Sequence, residues 1–186
     1  MGNFKDERLY SKGVEYYKKN QLDISLDFLI KIKKKNLNTL KLISQIYIKK
    51  NNIDNAKQAL NEILNFDKEN LFALNYLGDV NKLEKNYPDA EKLYRKSIFY
   101  NKNFVPAYFN LASLYEDIGK LKLAKNYYLK ITKINNKNYA AYFNLQRLEE
   151  NLITDQIIKN VYKDLNVNQN FNDKNIAYGH FLLPKN

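Results

Sequence analysis

His180 is the only histidine in this chain of 186 residues, and cysteine is absent. One imidazole with no thiol and no second imidazole beside it makes neither a nucleophile–base couple nor a metal site. The lack of cysteine also removes disulfides, thiolate ligands and cysteine nucleophiles. The five glycines are scattered, so no glycine-rich loop can cradle a phosphate. Adjacent carboxylates, Glu116-Asp117 and Glu149-Glu150, fall where helices are expected to end, and solvated charge is the ordinary role there. Catalysis is therefore not expected of this chain, and neither is a cofactor or a metal.

Charge is the compositional anomaly. The formal net charge is +11. Residues 1–93 carry 17 basic and 13 acidic groups and residues 94–186 carry 14 and 7, so neither half is a basic tail. Abundant Asn, Lys, Ile and Tyr fit the drift of an AT-rich genome, which raises lysine without a binding purpose. With 45% hydrophobic and 14% aromatic residues the chain has the material to pack helices, which argues against disorder. No stretch approaches the ~18 apolar residues of a membrane span. A cysteine-free chain fits a reducing compartment, and a cytoplasmic location is expected.

What must position any functional side chain is a repeat. Leu74, Leu77, Gly78, Ala90 and Tyr94 return 34 residues later as Tyr108, Leu111, Ala112, Ala124 and Tyr128. A period in the mid-thirties with two helical segments per unit marks a helical-repeat array. The pattern resembles the tetratricopeptide repeat (TPR), with its Leu-Gly pair, its small alanine in the second helix and its flanking aromatics. That resemblance implies an all-α, right-handed solenoid of about five helix–turn–helix units plus a C-terminal helix, in a single array over residues 1–186.

The units are placed at about 6–36, 37–70, 71–104, 105–138 and 139–172, with a last helix at 173–183. In the first, Gly13, Tyr16, Ser25 and Leu29 hold the patterned places, the second helix runs from about Leu22 to Lys35, and the tail is about three residues short. Asn51-Asn52 marks the turn of the second unit. Pro88 begins the second helix of the third, where a missing N–H is harmless, and Gly119 follows the first helix of the fourth. The fifth departs most: Gln146 replaces the glycine and Ile158 the small alanine, which should push its helices apart or tilt them. The family's proline near the end of the second helix is missing, with Lys68, Lys102, Asn136 and Asn170 in its place.

In this family the first helices line a concave groove that holds a peptide or helix of a partner. Projected onto this chain, the resemblance places in the lining Tyr10 and Tyr17, Lys41 and Gln45, and Asn75, Tyr76 and Asp79. The later units add Phe109, Asn110 and Ser113, then Phe143, Asn144 and Arg147. The pair Phe109-Asn110 recurs one repeat later as Phe143-Asn144, with Asn75-Tyr76 as a looser copy. Side-chain amides both donate and accept, so stacked asparagines can pair with the backbone of an extended ligand; equally, Asn at this place can pack against the neighbouring repeat. Lys18, Lys41, Lys49, Lys82 and Arg147 in the lining are balanced by Glu7, Asp79, Glu116, Asp117 and Glu150, which leaves the groove near neutral. The net charge then lies on second helices and loops, for example Lys31, Lys33, Lys34 and Lys35. The clamp that reads chaperone tails is begun by Lys41 and Gln45 but broken by Tyr76 and Pro106.

The expected function is a non-catalytic protein–protein interaction scaffold; neither nucleic acid nor a membrane is the expected partner. Two alternatives stay open: a recruitment module of a larger enzyme, and a basic convex surface for RNA or an acidic membrane. The phrase His180-Phe181-Leu182-Leu183-Pro184-Lys185 is similar to His-Phe-Ala-Leu-Gly-Lys of TPR arrays that precede a sulfotransferase domain. Phe181, Leu182 and Leu183 have three possible fates: folding back on the fifth repeat, self-association, or continuation into further sequence. Ala90→Arg or Ala124→Arg should unfold the array by forcing a long cation between packed helices. A melting curve followed by circular dichroism checks this, and an unaltered curve for Ala124→Arg would place the repeat register elsewhere.

Overall fold

The computed structural model describes residues 2–149, 154–167 and 173–182. Among the described residues the regular elements are eleven α-helices and no strands. In order they are α1 (Gly2–Lys18), α2 (Leu22–Ile30), α3 (Leu37–Lys49), α4 (Ile53–Phe66), α5 (Leu71–Leu83) and α6 (Tyr87–Tyr100). There follow α7 (Val105–Asp117), α8 (Leu121–Ile134), α9 (Tyr139–Leu148), α10 (Asp155–Val167) and α11 (Asp173–Leu182). The chain divides into two compact units, Met1–Asn101 and Lys102–Asn186.

In the first unit α1 pairs with α2, α3 with α4 and α5 with α6, and α4 packs on α5. In the second, α7 pairs with α8 and α8 packs on α9. The helices of the well-packed hairpins carry their apolar residues on one stripe. On α4 the stripe is Ala56, Ala59, Leu60 and Ile63, all buried. Leu60 and Ile63 are wholly covered, and burial of such a side chain contributes ~1.5–3 kcal/mol. In the first unit the core gathers Leu40, Leu60, Ile63 and Leu77 in one cluster and Leu29, Ile43 and Ile46 in another.

Small residues set how closely paired helices cross. Ala56, Ala90 and Ala124 have no exposed surface. Ser25 takes the same place in α2, and its hydroxyl donates to the Gly13 carbonyl at 2.7 Å, so a buried polar group is satisfied. A Cβ on Gly78 would lie 2.4 Å from Cε1 of the Tyr94 ring, and one on Gly13 would lie 2.6 Å from Leu29.

The turn inside each of the first four hairpins is one device used repeatedly. Asn20, Asn51, Lys85 and Gly119 have positive φ of 57°, 54°, 61° and 73°. Beyond each, a backbone N–H reaches back five residues: Gln21 to Tyr16, Asn52 to Tyr47, Asn86 to Asn81 and Lys120 to Tyr115. These are Schellman closures of the first helix. Asparagine also caps the following elements: the side chains of Asn36, Asn52, Asn70 and Asn138 accept from Thr39, Asn55, Ala73 and Ala141 N–H groups. Such caps stabilise by ~0.5–2 kcal/mol each.

One place differs from the sequence-based expectation and another follows it. Helix α2 ends at Ile30, short of Lys35, and has 9 residues where α4, α6 and α8 have 14 each. Ile32 is drawn into the core from non-helical backbone, and Asn36 must be extended to cap α3, so the helix cannot continue. In the last part, α9 packs chiefly against α11, while α10 meets it through the Tyr139 hydroxyl, which donates to Asp164 at 2.6 Å. Ile158, standing where earlier units have alanine, denies α10 the close crossing seen in them. Leu182 is buried with Tyr139 and Val161, so α11 folds back onto the fifth repeat, while Leu183 lies outside the described residues.

Two substitutions separate packing from backbone conformation. Gly78→Ala should destabilise by about 1–3 kcal/mol, because the buried Tyr94 ring cannot yield. Lys85→Gly should stabilise by up to about 1 kcal/mol, because only glycine is unstrained at that φ. Urea unfolding of the two variants checks both signs.

Candidate partner-binding face

The first helices α1, α3, α5, α7 and α9 each bury one stripe against the core and keep another half-exposed. On α3, Lys41 and Gln45 are four residues apart, as are Phe72 and Tyr76 on α5, so each pair shares a helix face. The Lys41 ammonium stands 5.4 Å from the Phe72 ring centre. Gln45 Nε2 donates to the Tyr76 hydroxyl at 3.3 Å. The Phe72 and Tyr76 rings are themselves 4.3 Å apart. One helix earlier, Lys49 Nζ sits 4.3 Å from the ring centre of Tyr17. Tyr10 is half-buried at the middle of α1 and packs against the cluster around Leu29.

The spacing placed Asn75 and Asp79 in the lining as well. Asn75 is only 6% exposed, turned into the packed side of α5. Asp79 Oδ1 accepts from the Tyr94 hydroxyl at 2.8 Å and so ties α5 to its own second helix. Lys41, Gln45 and Tyr76 thus share one face, from which Asn75 turns away.

In the second unit Phe109 of α7 meets Tyr128 of α8 edge-on, with centroids 5.8 Å apart. Arg147 of α9 donates to Glu116 of α7 and, at 3.3 Å, to Asn144 Oδ1. Burial, and then the nearby Glu116 carboxylate, push the Tyr128 hydroxyl pKa well up against the opposing pull of Arg147. The hydrogen bond to Glu116 raises that of Arg147 further. Asn144 Nδ2 donates to the Ala140 carbonyl of its own helix at 2.8 Å. Asn110 and Ser113 are half-buried, three residues apart on α7. Phe143 takes the rings of Tyr178 and Phe181 from α11, at 5.2 and 4.7 Å. Glu150 and Asn151, also projected into the lining, lie outside the described residues.

Sequence reasoning missed the bridges between successive first helices, although a signal was there. Gln45 to Tyr76 and Glu116 to Arg147 are both separated by 31 residues. Lys41 to Phe72 has the same offset, which is the repeat length less one helical turn. It also missed the ion pairs between a second helix and a neighbouring loop or helix end, Lys57 of α4 with Glu84 and Asp164 of α10 with Lys137, both at an offset of 27 residues. His180 is exposed on α11. Among the described residues no three His, Cys, Asp or Glu side chains gather where a metal could sit. No described helix is long and apolar enough to cross a membrane.

The tetratricopeptide repeat family model matches residues 41–70 and 105–138. No curated protein shows a significant sequence match. Among solved structures, MamA is similar with a TM-score of 0.67 at 22% identity, over 89% of this chain and 92% of that one. TTC0263, a thermophilic TPR protein of Thermus thermophilus, has a TM-score of 0.66 at 12% identity, over 95% and 98%. The first TPR of Spaghetti (RPAP3), bound to the HSP90 peptide SRMEEVD, has a TM-score of 0.54 at 20% identity, over 62% and 91%. At these identities the likeness is one of fold.

The Glu116–Arg147 bridge should behave as a half-solvated pair. A double-mutant cycle of Glu116→Gln and Arg147→Met, read by urea unfolding, should give a coupling of about 0.5–1 kcal/mol that shrinks in high salt.

Proposed function

Because this chain is built from tetratricopeptide repeats, we propose that it is a non-catalytic scaffold that holds a peptide or helix of a protein partner against its first helices. The carrying observation is the docking at Phe143. There a helix of the chain itself, α11, lies against a first helix through the rings of Tyr178 and Phe181. This intramolecular packing supports reading the first-helix face as one that takes a helix by aromatic insertion, one of the standard ways in which a groove takes a peptide element. Phe72, Tyr76 and Phe109 offer rings of the same kind, with Gln45, Asn110 and Ser113 as polar neighbours. We read the repeats as one array because their 34-residue register runs unbroken from Leu37 to Asn138.

The structure of the RPAP3 repeat domain carries an HSP90 peptide. That ligand is not the one proposed for this chain. Tyr76 and Pro106 interrupt the basic and amide positions that such a terminal carboxylate needs, and Tyr76 is engaged by Gln45.

A pull-down from source lysate, at low and moderate salt, tests the proposal with the wild type beside Asn110→Ala/Asn144→Ala. A bound protein should survive moderate salt and fall roughly tenfold or more in the double variant, at ~1 kcal/mol per lost amide contact. The far-ultraviolet spectra of the two baits should coincide. Nucleic acid that washes off with salt and ignores the substitutions would overturn the proposal.

A further inference from the structure

The short second helix of the first repeat opens a cleft that the later repeats lack the means to form. Where α2 stops after 9 residues, the chain continues as the non-helical segment 31–36. The N-terminal half of α1, this segment, the start of α3 and Phe66 at the end of α4 enclose a cleft of about 1150 Å³. Its apolar side is formed by Tyr10, Ile32, Leu37 and Phe66. Phe66 is 66% exposed although it stands at the end of a helix otherwise well packed. Its rim is formed by Lys5, Lys31, Lys33, Lys34 and Lys35.

Some lysines elsewhere are paired with carboxylates, as Lys50 is with Asp23, Lys57 with Glu84, Lys125 with Glu149 and Lys137 with Asp164. Among the described residues none of the five rim lysines is in an ion pair. Only Asp6 and Glu7 bring negative charge to the cleft, which leaves it three positive charges in excess, five less two. Like charges held together around a cavity raise the local potential and favour an anionic visitor. The positive end of α3 opens on the same space and adds to this.

We propose that this cleft is a docking site for an acidic segment of a partner protein that carries an aromatic or large aliphatic side chain. The side chain would enter between Phe66 and Tyr10 while flanking carboxylates meet the lysine rim. Charge complementarity selects an anion, and the apolar wall selects one with a hydrophobic group. Asp6, whose carboxylate accepts from the Lys34 N–H at 3.5 Å, and Glu7 break the run of positive charge: they disfavour an unbroken phosphate backbone, whereas a peptide can set its carboxylates against the lysines and keep them away from these two. The site is separate from the first-helix bridges described above, and it stands whether or not they bind a partner.

The test uses the whole chain and fluorescence anisotropy. The probe is a labelled Asp/Glu-rich peptide with a single central Phe, beside the same peptide with Ser in place of Phe. Lys33→Ser/Lys34→Ser removes two exposed, non-helical cations and should leave the melting curve unaltered. Lys130→Ser/Lys133→Ser removes the same charge from α8 as the control. The Phe peptide should bind the wild type. It should weaken about tenfold with Lys33→Ser/Lys34→Ser and no more than about twofold with the control pair, since exposed charges act locally at physiological salt. The Ser peptide should bind at least several-fold more weakly than the Phe peptide. No binding of the Phe peptide at low salt, equal loss in both variants, or equal affinity for the two peptides would each overturn the proposal. So would a poly-uridine strand or phosphatidylserine vesicles that bind more tightly than the peptide and show the same Lys33/Lys34 dependence.

Discussion

Close approach of paired helices is the constraint on which the remaining structure depends. Gly78 lies against the Tyr94 ring and Gly13 against Leu29, each nearer than a Cβ would permit. On the second helices Ala56, Ala90 and Ala124 are sealed from solvent. Helices that touch through backbone and small residues have few ways to slide, so the large side chains beside the crossing find fixed partners. Tyr94 is the example: fully buried as a ring, it still directs its hydroxyl to Asp79 and so fastens the pair at a second point. Where the small residue is lost, at Ile158, the hairpin gives way to a different arrangement and α11 takes up the exposed side of α9.

Much of this could be read from the amino-acid order, for a physical reason. The first helices of the second to fifth units begin at Leu37, Leu71, Val105 and Tyr139, where the 34-residue register puts them. Periodic packing leaves no freedom in where a helix starts. The small and aromatic places are legible too, because close crossings admit few residue types. The asparagines, which composition alone assigns to genome drift, serve also as helix caps and as left-handed turn residues.

What resisted reading depended on non-periodic partners. Nothing local in Leu22–Lys35 says that Ile32 will be drawn inward and end α2 early. The projection that set Asn75 in the lining knew the helix face only to within one residue's rotation, about 100°, and the observed rotation buries it. Phe143 was placed on the first-helix face, but its covering by Tyr178 and Phe181 depends on a helix some 35 residues away with no repeat pattern of its own. The bridges of Lys41, Gln45 and Arg147 were hidden by an offset of 31 residues, visible only when two repeats are aligned one turn out of step.

Those bridges bear on the entropy of recognition. A lysine, a glutamine or an arginine on an open helix surface forfeits up to about 2 kcal/mol of rotamer freedom when a ligand immobilises it. Lys41 over Phe72, Gln45 on Tyr76 and Arg147 on Glu116 have surrendered part of that freedom already, at the moment of folding. A partner arriving at such a surface meets side chains that are in place, so more of each contact it makes is retained as affinity. The repeat that builds the fold thus also stiffens the surface it presents, one helix pair at a time.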